Sequence, residues 1–326
     1  MSDVTAKRPW TLARVTASPG LRFAIQRVGY GVLVMLAVSV VVFLLTFLTG
    51  DPAALILPPE ATPAQVEAFR VQRGFDRPIL VQYWDFLSGA LTLDFGRSLM
   101  QGEDAMQMVL ARLAPSLKLA MVSLFASLVI AIPLGLLAAM KRGTWIDQVS
   151  RILALIGQCT PNFYLGIVLI LVFAVQLRLL PATGSPTARG LVLPAITLGL
   201  YAAAETMRLL RSSLLEVFGE DYVRTARAKG LSERVTILKH AMKNAAIPVV
   251  TVMGLQLNTM MGRAVVTETV FTYPGMGMLA FRAIANRDFI VVQAFVIVMA
   301  MVVVTLNLIV DLLYSRLDPR IQLSGR

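Results

Sequence analysis

The sequence has almost none of the residues that enzymes use for metal and covalent chemistry. Its 326 residues include one cysteine and one histidine. Cys159 lies inside an apolar run, so neither a disulfide framework nor a cysteine-ligated metal cluster is possible. His240 stands alone, and the zinc motif H-E-x-x-H does not occur. We therefore expect neither a metal nor a cofactor in this chain, and no catalytic residues.

Nucleotide-binding motifs are also missing. The phosphate-binding pattern G-x-x-x-x-G-K-[ST] does not occur, so the chain cannot cradle ATP phosphates itself. A partial match to the dinucleotide fingerprint, Gly275-x-Gly277-x-x-Ala280, has no strand pattern before it. We interpret these glycines as a sharp turn that precedes a helix over 278–286.

Charge is scarce, since only 15% of the residues are charged and 57% are hydrophobic. A soluble domain cannot cover that much apolar surface, so lipid is the expected solvent. The net charge is +11, which in a soluble protein would suggest nucleic acid. Here the basic residues flank apolar segments, so membrane topology and anionic lipid explain the excess. Membrane lipid is the expected partner, and nucleic acid is not.

Apolar segments of membrane length dominate the remainder. They predict an all-α polytopic membrane protein with six transmembrane helices, in a transmembrane domain over 28–314 that follows a tail over 1–27 and precedes a tail over 315–326. The predicted spans are about 28–49, 117–140, 160–180, 190–212, 245–267 and 289–313. Six spans put both termini on one side, and the positive-inside rule places them in the cytoplasm.

The outer loop over 50–115 is too long for a simple connection. Thr62, Pro63 and Gln65 form a helix-start pattern that Gly74 would end. Pro78 would open a second helix with one apolar face. Two interpretations stay open and are compatible: a packed cap over the span ends, and a platform for an extracellular or periplasmic partner.

The cytoplasmic loop over 213–244 contains a short basic helix signal. Glu220 and Asp221 suit the positive end of a helix dipole, Arg227 and Lys229 suit the other end, and Gly230 is a C-cap candidate. A second helix is predicted over 233–243, with Pro248 opening the next span. From periodicity alone, the first helix is either a surface helix on the headgroups or a docking element.

Several motifs resemble one family. The segment Tyr222–Thr251 is similar to the cytoplasmic loop of ABC importer permeases in the dipeptide/oligopeptide/nickel branch. The positions of that family's E-A-A motif are Arg224, Thr225 and Ala226 here, so its glutamate is absent, while its glycine is Gly230. Further matches are Gly50–Pro52, Asp76–Pro78, Asp94–Ser98, Leu180–Gly184, Glu268–Phe271, Tyr273–Gly277, Asn286–Asp288 and Tyr314–Arg320.

The resemblance implies a type I importer fold and a set of partners: a second homologous permease, cytoplasmic ATPase subunits that bind ATP and Mg, and a solute-binding protein. It also implies that the short helix is a coupling helix that docks on an ATPase. The implied contact residues are Glu220, Asp221, Tyr222, Arg224, Thr225, Ala226, Arg227, Lys229 and Gly230. Solutes of this branch include peptides, nickel chelates, opines and glutathione.

Polar groups inside the apolar spans are the candidates for a translocation pathway, because unsatisfied polar groups are costly in lipid. They are Thr160, Asn162, Glu205, Gln256, Asn258 and Thr259. Each could instead form an interhelical hydrogen bond, and Arg208 offers Glu205 an i,i+3 salt bridge. A secondary transporter or channel without an ATPase is the alternative function.

Overall fold

The computed structural model describes residues 19–48, 53, 54, 57 and 60–317. The predictions for the N-terminal tail up to residue 18, for Gly50–Pro52 and for the tail from residue 318 lie outside these residues. Within the described residues the regular elements are helices, and the one β-bridge pairs Arg97 with Asp104. The predicted all-α class is confirmed.

Eleven helices follow one another in the described chain. They are α1 (Pro19–Leu48), α2 (Pro63–Arg73), α3 (Ile79–Thr92), α4 (Ala105–Met140), α5 (Trp145–Cys159), α6 (Asn162–Leu169, continued as a π-helix over Ile170–Gln176), α7 (Ala188–Val217), α8 (Asp221–Ala228), α9 (Glu233–Val270), α10 (Met276–Ala285) and α11 (Phe289–Leu317). The first part of α9 includes a π-helical segment, Thr236–Ala241.

Five of these helices, α1, α4, α7, α9 and α11, are long and apolar enough to cross a membrane. A sixth span arises if α5 and α6 count as one, although they meet at 107°. The break falls at Thr160, whose backbone is extended (φ −77°, ψ 122°) because the following Pro161 disfavours the helical conformation there.

The centre of the bundle is α7. In its most apolar 18-residue window 72% of residues are buried, against 17% for α1 and 22% for α11, which therefore have the most lipid-accessible surfaces. Small residues let neighbouring backbones approach. A Cβ at Gly199 of α7 would lie 2.5 Å from the Ser123 carbonyl oxygen of α4. Such close packing is how membrane helices associate without a hydrophobic driving force.

Two proline positions differ from the prediction. Pro248 lies inside α9 rather than at the start of a span, and Pro115 lies inside α4, which begins at Ala105, well before the predicted span start at 117. Asp104 caps α4 by accepting a hydrogen bond from the Gln107 N–H at 2.8 Å. The first turns of α4 are buried against α10 and α11, and Ala245 and Val249 beside Pro248 are buried against α4 and α7. Tertiary packing therefore outweighs the hydrogen bond that each proline removes.

The outer segment contains the two predicted helices. The Thr62 capping box and the left-handed C-cap at Gly74 (φ 72°) are confirmed for α2. Pro78 immediately precedes α3. Tyr83 of α3 shares a 2.9 Å hydrogen bond with Ser39 of α1, and its ring lies 5.3 Å from Phe43. These contacts support the packed-cap interpretation and leave the exposed side of α3 open to a partner.

Candidate coupling and translocation sites

Helix α8 corresponds to the basic signal in the cytoplasmic loop. It covers Asp221–Ala228, with Glu220 at the N-cap position and Lys229 at the C-cap position. Gly230 has φ +77°, and its N–H donates to the Arg227 carbonyl at 2.9 Å. Glycine adopts this left-handed conformation without steric cost, which explains the residue type at the end of the helix.

Two apolar side chains fasten α8 to the body of the protein. Val223 is fully buried and Ala226 is 6% exposed. The Tyr222 hydroxyl accepts a hydrogen bond from the Asn244 amide of α9 at 2.7 Å. At the other end Arg227 forms a salt bridge with Glu233 at 2.8 Å, at the start of α9. The helix is therefore held on α9 at both ends.

The opposite face of α8 is polar and open. The exposed residues are Asp221, Tyr222, Arg224, Thr225, Arg227, Ala228 and Lys229. The Ala226 side chain points into the protein, so of the predicted contact residues it is the one that the fold turns away from an external partner. The charged side chains reach solvent, where their pairs, such as Arg224 with Asp221 at 3.5 Å, add little stability.

A buried ion pair joins α5 to α7 near the same end of the bundle. Arg211 donates two hydrogen bonds to Asp147, at 2.7 and 2.8 Å, and the Gly143 N–H donates a third at 3.1 Å. Asp147 is 2% exposed and Arg211 19%. Sequence reasoning missed this pair, because neither residue lies in a recognisable motif.

Breaking this pair should destabilise the bundle. Asp147→Ala leaves the partly buried Arg211 guanidinium without its partner, which costs about 3 kcal/mol, the lower end of the range for buried pairs. Asp85→Ala is the matched control, since the Arg77–Asp85 pair is 3.2 Å long and both side chains are 58% exposed. The control should change stability by less than about 1 kcal/mol. Thermal unfolding in detergent checks both variants, and equal melting temperatures would contradict the expectation.

The predicted pathway residues do not form one group. Gln256 of α9 is buried and donates to Glu205 at 3.3 Å and to Thr206 at 3.0 Å, both on α7. Asn258 faces another neighbour and donates to Asn307 of α11 at 2.9 Å. Gln256 and Asn258 therefore make the interhelical hydrogen bonds that were the alternative interpretation, while Glu205 also stays half-exposed.

The remaining candidates make local contacts. The Thr160 and Thr259 hydroxyls donate to carbonyls of their own helices, at 2.7 and 3.0 Å. Asn162 is the first residue of α6 and is half-buried. Arg208 donates to Gln158 of α5 rather than to Glu205, so the i,i+3 salt bridge is not formed.

Arg263 is a residue that the sequence reasoning missed. It lies within the predicted span over 245–267, and its guanidinium carbon is 3.8 Å from the centroid of the Tyr201 ring. A cation over an aromatic face at this distance is attracted by the ring quadrupole. The available signal was a single charge inside an apolar segment, which marks a functional position by default.

Glu268, which lies in one of the family-like motifs but whose role the sequence does not show, closes the opposite end of the bundle from α8. Glu268 is fully buried, and its carboxyl oxygens accept hydrogen bonds from Ser116 at 2.5 Å and from the backbone N–H groups of Gly277 and Met278 at 2.7 and 3.1 Å. A Cβ at Gly275 would lie 2.2 Å from this carboxyl group. Gly275 has φ −99°, which any residue can adopt, so the predicted sharp turn does not explain the glycine. Glycine is required because the Glu268 carboxyl group lies too close for a side chain.

Neighbouring loop residues reinforce this closure. The Tyr273 hydroxyl donates to the Pro115 carbonyl at 3.0 Å, and burial, with Glu268 nearby, raises the pKa of Tyr273 to about 12. The Ser98 hydroxyl donates to Asp288 at 2.5 Å across 190 residues of sequence. Two motifs that the sequence shows far apart therefore meet in space. Among the described residues no cluster of metal-ligating side chains occurs.

The helical bundle, its membrane-length spans and the short loop helix define a polytopic membrane permease. The chain belongs to the family described as binding-protein-dependent transport system inner membrane component, which matches residues 131–323, and the corresponding N-terminal family matches residues 20–120. It is a transmembrane permease subunit of an ABC importer, and the resemblance seen in the sequence is confirmed.

Known relatives agree with this assignment. The glutathione transport system permease protein GsiC of Escherichia coli (strain K12) is 39% identical over 303 residues, covering 93% of this chain and 99% of the relative. GsiC of Shigella dysenteriae serotype 1 gives the same values.

Two solved structures share the fold. The MetNI methionine ABC transporter in an inward-facing conformation matches with a TM-score of 0.53 and 19% identity, over 65% of this chain and 97% of that chain. The crystal structure of an amino acid ABC transporter with histidines matches with a TM-score of 0.50 and 15% identity, over 64% of this chain and 94% of that chain. At these identities the likeness concerns the fold.

Proposed function

We propose that α8 is the coupling helix of this permease and docks on a cytoplasmic ATPase subunit that binds ATP and Mg. The observation that carries the proposal is the division of α8 into two faces. Val223 and Ala226 fix it to the bundle, and Tyr222, Arg224 and Lys229 remain exposed. A helix held in this way would transmit a movement of the ATPase to α9, and its basic residues would orient the docking.

The proposed orientation places α8 and both termini in the cytoplasm of a bacterial inner membrane. The excess of Lys and Arg beside the spans supports it through the positive-inside rule. Glu268, Tyr273 and the outer helices α2 and α3 then lie at the periplasmic side. A solute-binding protein would deliver its cargo there.

A second homologous permease would complete the pathway. The half-exposed polar residues of α7 and α9, Glu205 and Arg263 among them, support this, because polar groups at membrane depth need water or protein around them. We propose a peptide-like solute, in the class that includes glutathione. The relatives named as glutathione transport permeases support this class.

Purification of this chain from native membranes in a mild detergent tests the assignment of partners. We expect an ATP-hydrolysing chain and a second permease to co-purify with it. A matched preparation of Arg224→Glu with Lys229→Glu, which reverses charge on exposed positions alone, should lose the ATPase and keep the second permease. A permease that transports while no ATPase accompanies it would instead support a secondary transporter or channel.

A further inference from the structure

A stripe of polar residues lies along one face of α7. Tyr201, Glu205 and Arg208 occupy positions i, i+4 and i+7, which face the same side of a helix. All three are half-buried, although α7 is otherwise the most buried span. This face of α7 is therefore only partly covered by the described bundle.

A matching stripe on α9 meets it. Gln256, Thr259 and Arg263 occupy positions i, i+3 and i+7. Two contacts join the stripes: Arg263 lies 3.8 Å from the Tyr201 ring centroid, and Gln256 donates to Glu205 at 3.3 Å. The two helices therefore present one polar wall, made of Tyr201, Glu205, Arg208, Thr259 and Arg263, with the buried Gln256 between the helices.

The wall contains opposite charges that do not neutralise each other. In the part of the chain that the structure describes, neither Glu205 nor Arg263 forms an ion pair. The basic neighbour of Glu205, Arg208, donates to Gln158 instead. Charges at membrane depth are costly and persist where they face a pathway or a partner.

Each of the two charged groups contacts a residue of the facing helix. Arg263 lies over Tyr201, and Tyr201 is one helical turn, about 6 Å, from Glu205 along α7. The Tyr201 ring holds the guanidinium through a cation–π contact, and Gln256 donates one hydrogen bond to the Glu205 carboxyl group. A planar guanidinium binds a carboxylate through two parallel hydrogen bonds.

We propose that Arg263 and Glu205 form a dipolar solute site on the pathway wall, which takes a zwitterionic peptide by its two ends. Arg263 binds the terminal carboxylate and Glu205 binds the terminal ammonium group. The site rests on the proposed transport of peptide-like solutes and names the charge pattern that selects among them. A neutral solute, or one with a single charge, leaves one of the two groups unpaired.

Equilibrium dialysis of the complete complex, purified from native membranes into lipid nanodiscs without ATP, tests the site. The probes are labelled trialanine, its C-terminal amide and its N-acetyl form. The unaltered complex should bind trialanine at least about tenfold more tightly than either blocked form, because each blocked end leaves a charged group without its partner.

Each variant should lose one preference only. Arg263→Gln should bind trialanine and its amide equally, and Glu205→Gln should bind trialanine and its N-acetyl form equally. Arg263→Lys should keep part of the preference for the free carboxylate, since it keeps the charge without the two-pronged geometry. Arg282→Gln, an exposed position on α10, is the control and should bind like the unaltered complex.

Basal ATP hydrolysis by each complex verifies its assembly. No binding of trialanine by the unaltered complex, or an undiminished preference in Arg263→Gln, would overturn the site. An absence of the ATPase from the complex, by contrast, would overturn the proposed coupling and not the site.

Discussion

A complex that carries Tyr222→Ala together with Gly230→Pro should import solute at background level while the permease remains in the membrane. Proline fixes φ near −65°, whereas Gly230 has φ +77° and donates its N–H to Arg227. Alanine at position 222 also removes the hydroxyl that accepts from Asn244. The C-terminal end of α8 and its hydrogen bond to α9 would be lost. We therefore expect uptake to fall by about 100-fold, the size of loss that a misplacement of about 1 Å causes in catalysis.

The matched control is Gly230→Asn. Asparagine tolerates the left-handed conformation, and no atom lies within 4 Å of a Cβ at this position. This variant should import at a near-normal rate. Uptake of labelled solute by cells, normalised to the permease in the membrane fraction, gives the comparison. Normal uptake by the double variant would remove α8 from the coupling route.

Glu268→Ala should give the largest loss of stability. The substitution leaves the Ser116 hydroxyl and the N–H groups of Gly277 and Met278 without their acceptor in a fully buried site. Each such group costs about 1–3 kcal/mol when it is left unsatisfied. For a chain of this size we therefore expect the melting temperature to fall by roughly 10 °C.

Glu268→Gln separates hydrogen bonding from size. Its amide oxygen can still accept from Gly277 and Met278, so this variant should melt much closer to the unaltered protein. Gly275→Ala should resemble Glu268→Ala, because its Cβ would lie 2.2 Å from the Glu268 carboxyl group. Thermal unfolding of the detergent-solubilised chain, followed by fluorescence, measures all three. A Glu268→Ala protein as stable as Glu268→Gln would mean that these hydrogen bonds do not hold α10.

The helical architecture could be predicted from the sequence because lipid imposes one strong rule. Apolar runs of membrane length must be helices, since their backbone groups have no other hydrogen-bond partners. Local signals located α2 and α8 as well: Thr62 and Gln65 start the first, and Gly230 ends the second. Each signal acts over one turn, so sequence neighbours suffice to recognise it.

Contacts between distant segments determine the features that could not be predicted from the sequence. Helix α4 continues through Pro115, and α9 through Pro248, because buried neighbours compensate for the lost hydrogen bonds. Glu268 has no hydrogen-bond partner within its own helical turn. Its carboxyl oxygens accept from the Ser116 hydroxyl and from the Gly277 N–H at the start of α10. Such groups become visible only when distant segments are brought together.

The pathway candidates illustrate the same limit. Polarity alone selected Gln256 and Asn258 equally, yet the fold directs the first toward α7 and the second toward α11. Arg263 is not among the predicted pathway residues, although it lies on the same face of α9 as Gln256. The direction in which a side chain points around its helix, and the helix that it faces, decide whether a polar residue makes a packing contact or remains partly exposed.

Solute accumulation in proteoliposomes tests the central claim most directly, namely that this permease works through an ATPase that docks on α8. The complex purified from native membranes is reconstituted with ATP enclosed on the α8 side, and the solute-loaded binding protein is added outside. We predict accumulation against a gradient that requires ATP and is absent from the Tyr222→Ala, Gly230→Pro complex. Accumulation driven by a proton or sodium gradient without ATP would contradict the account.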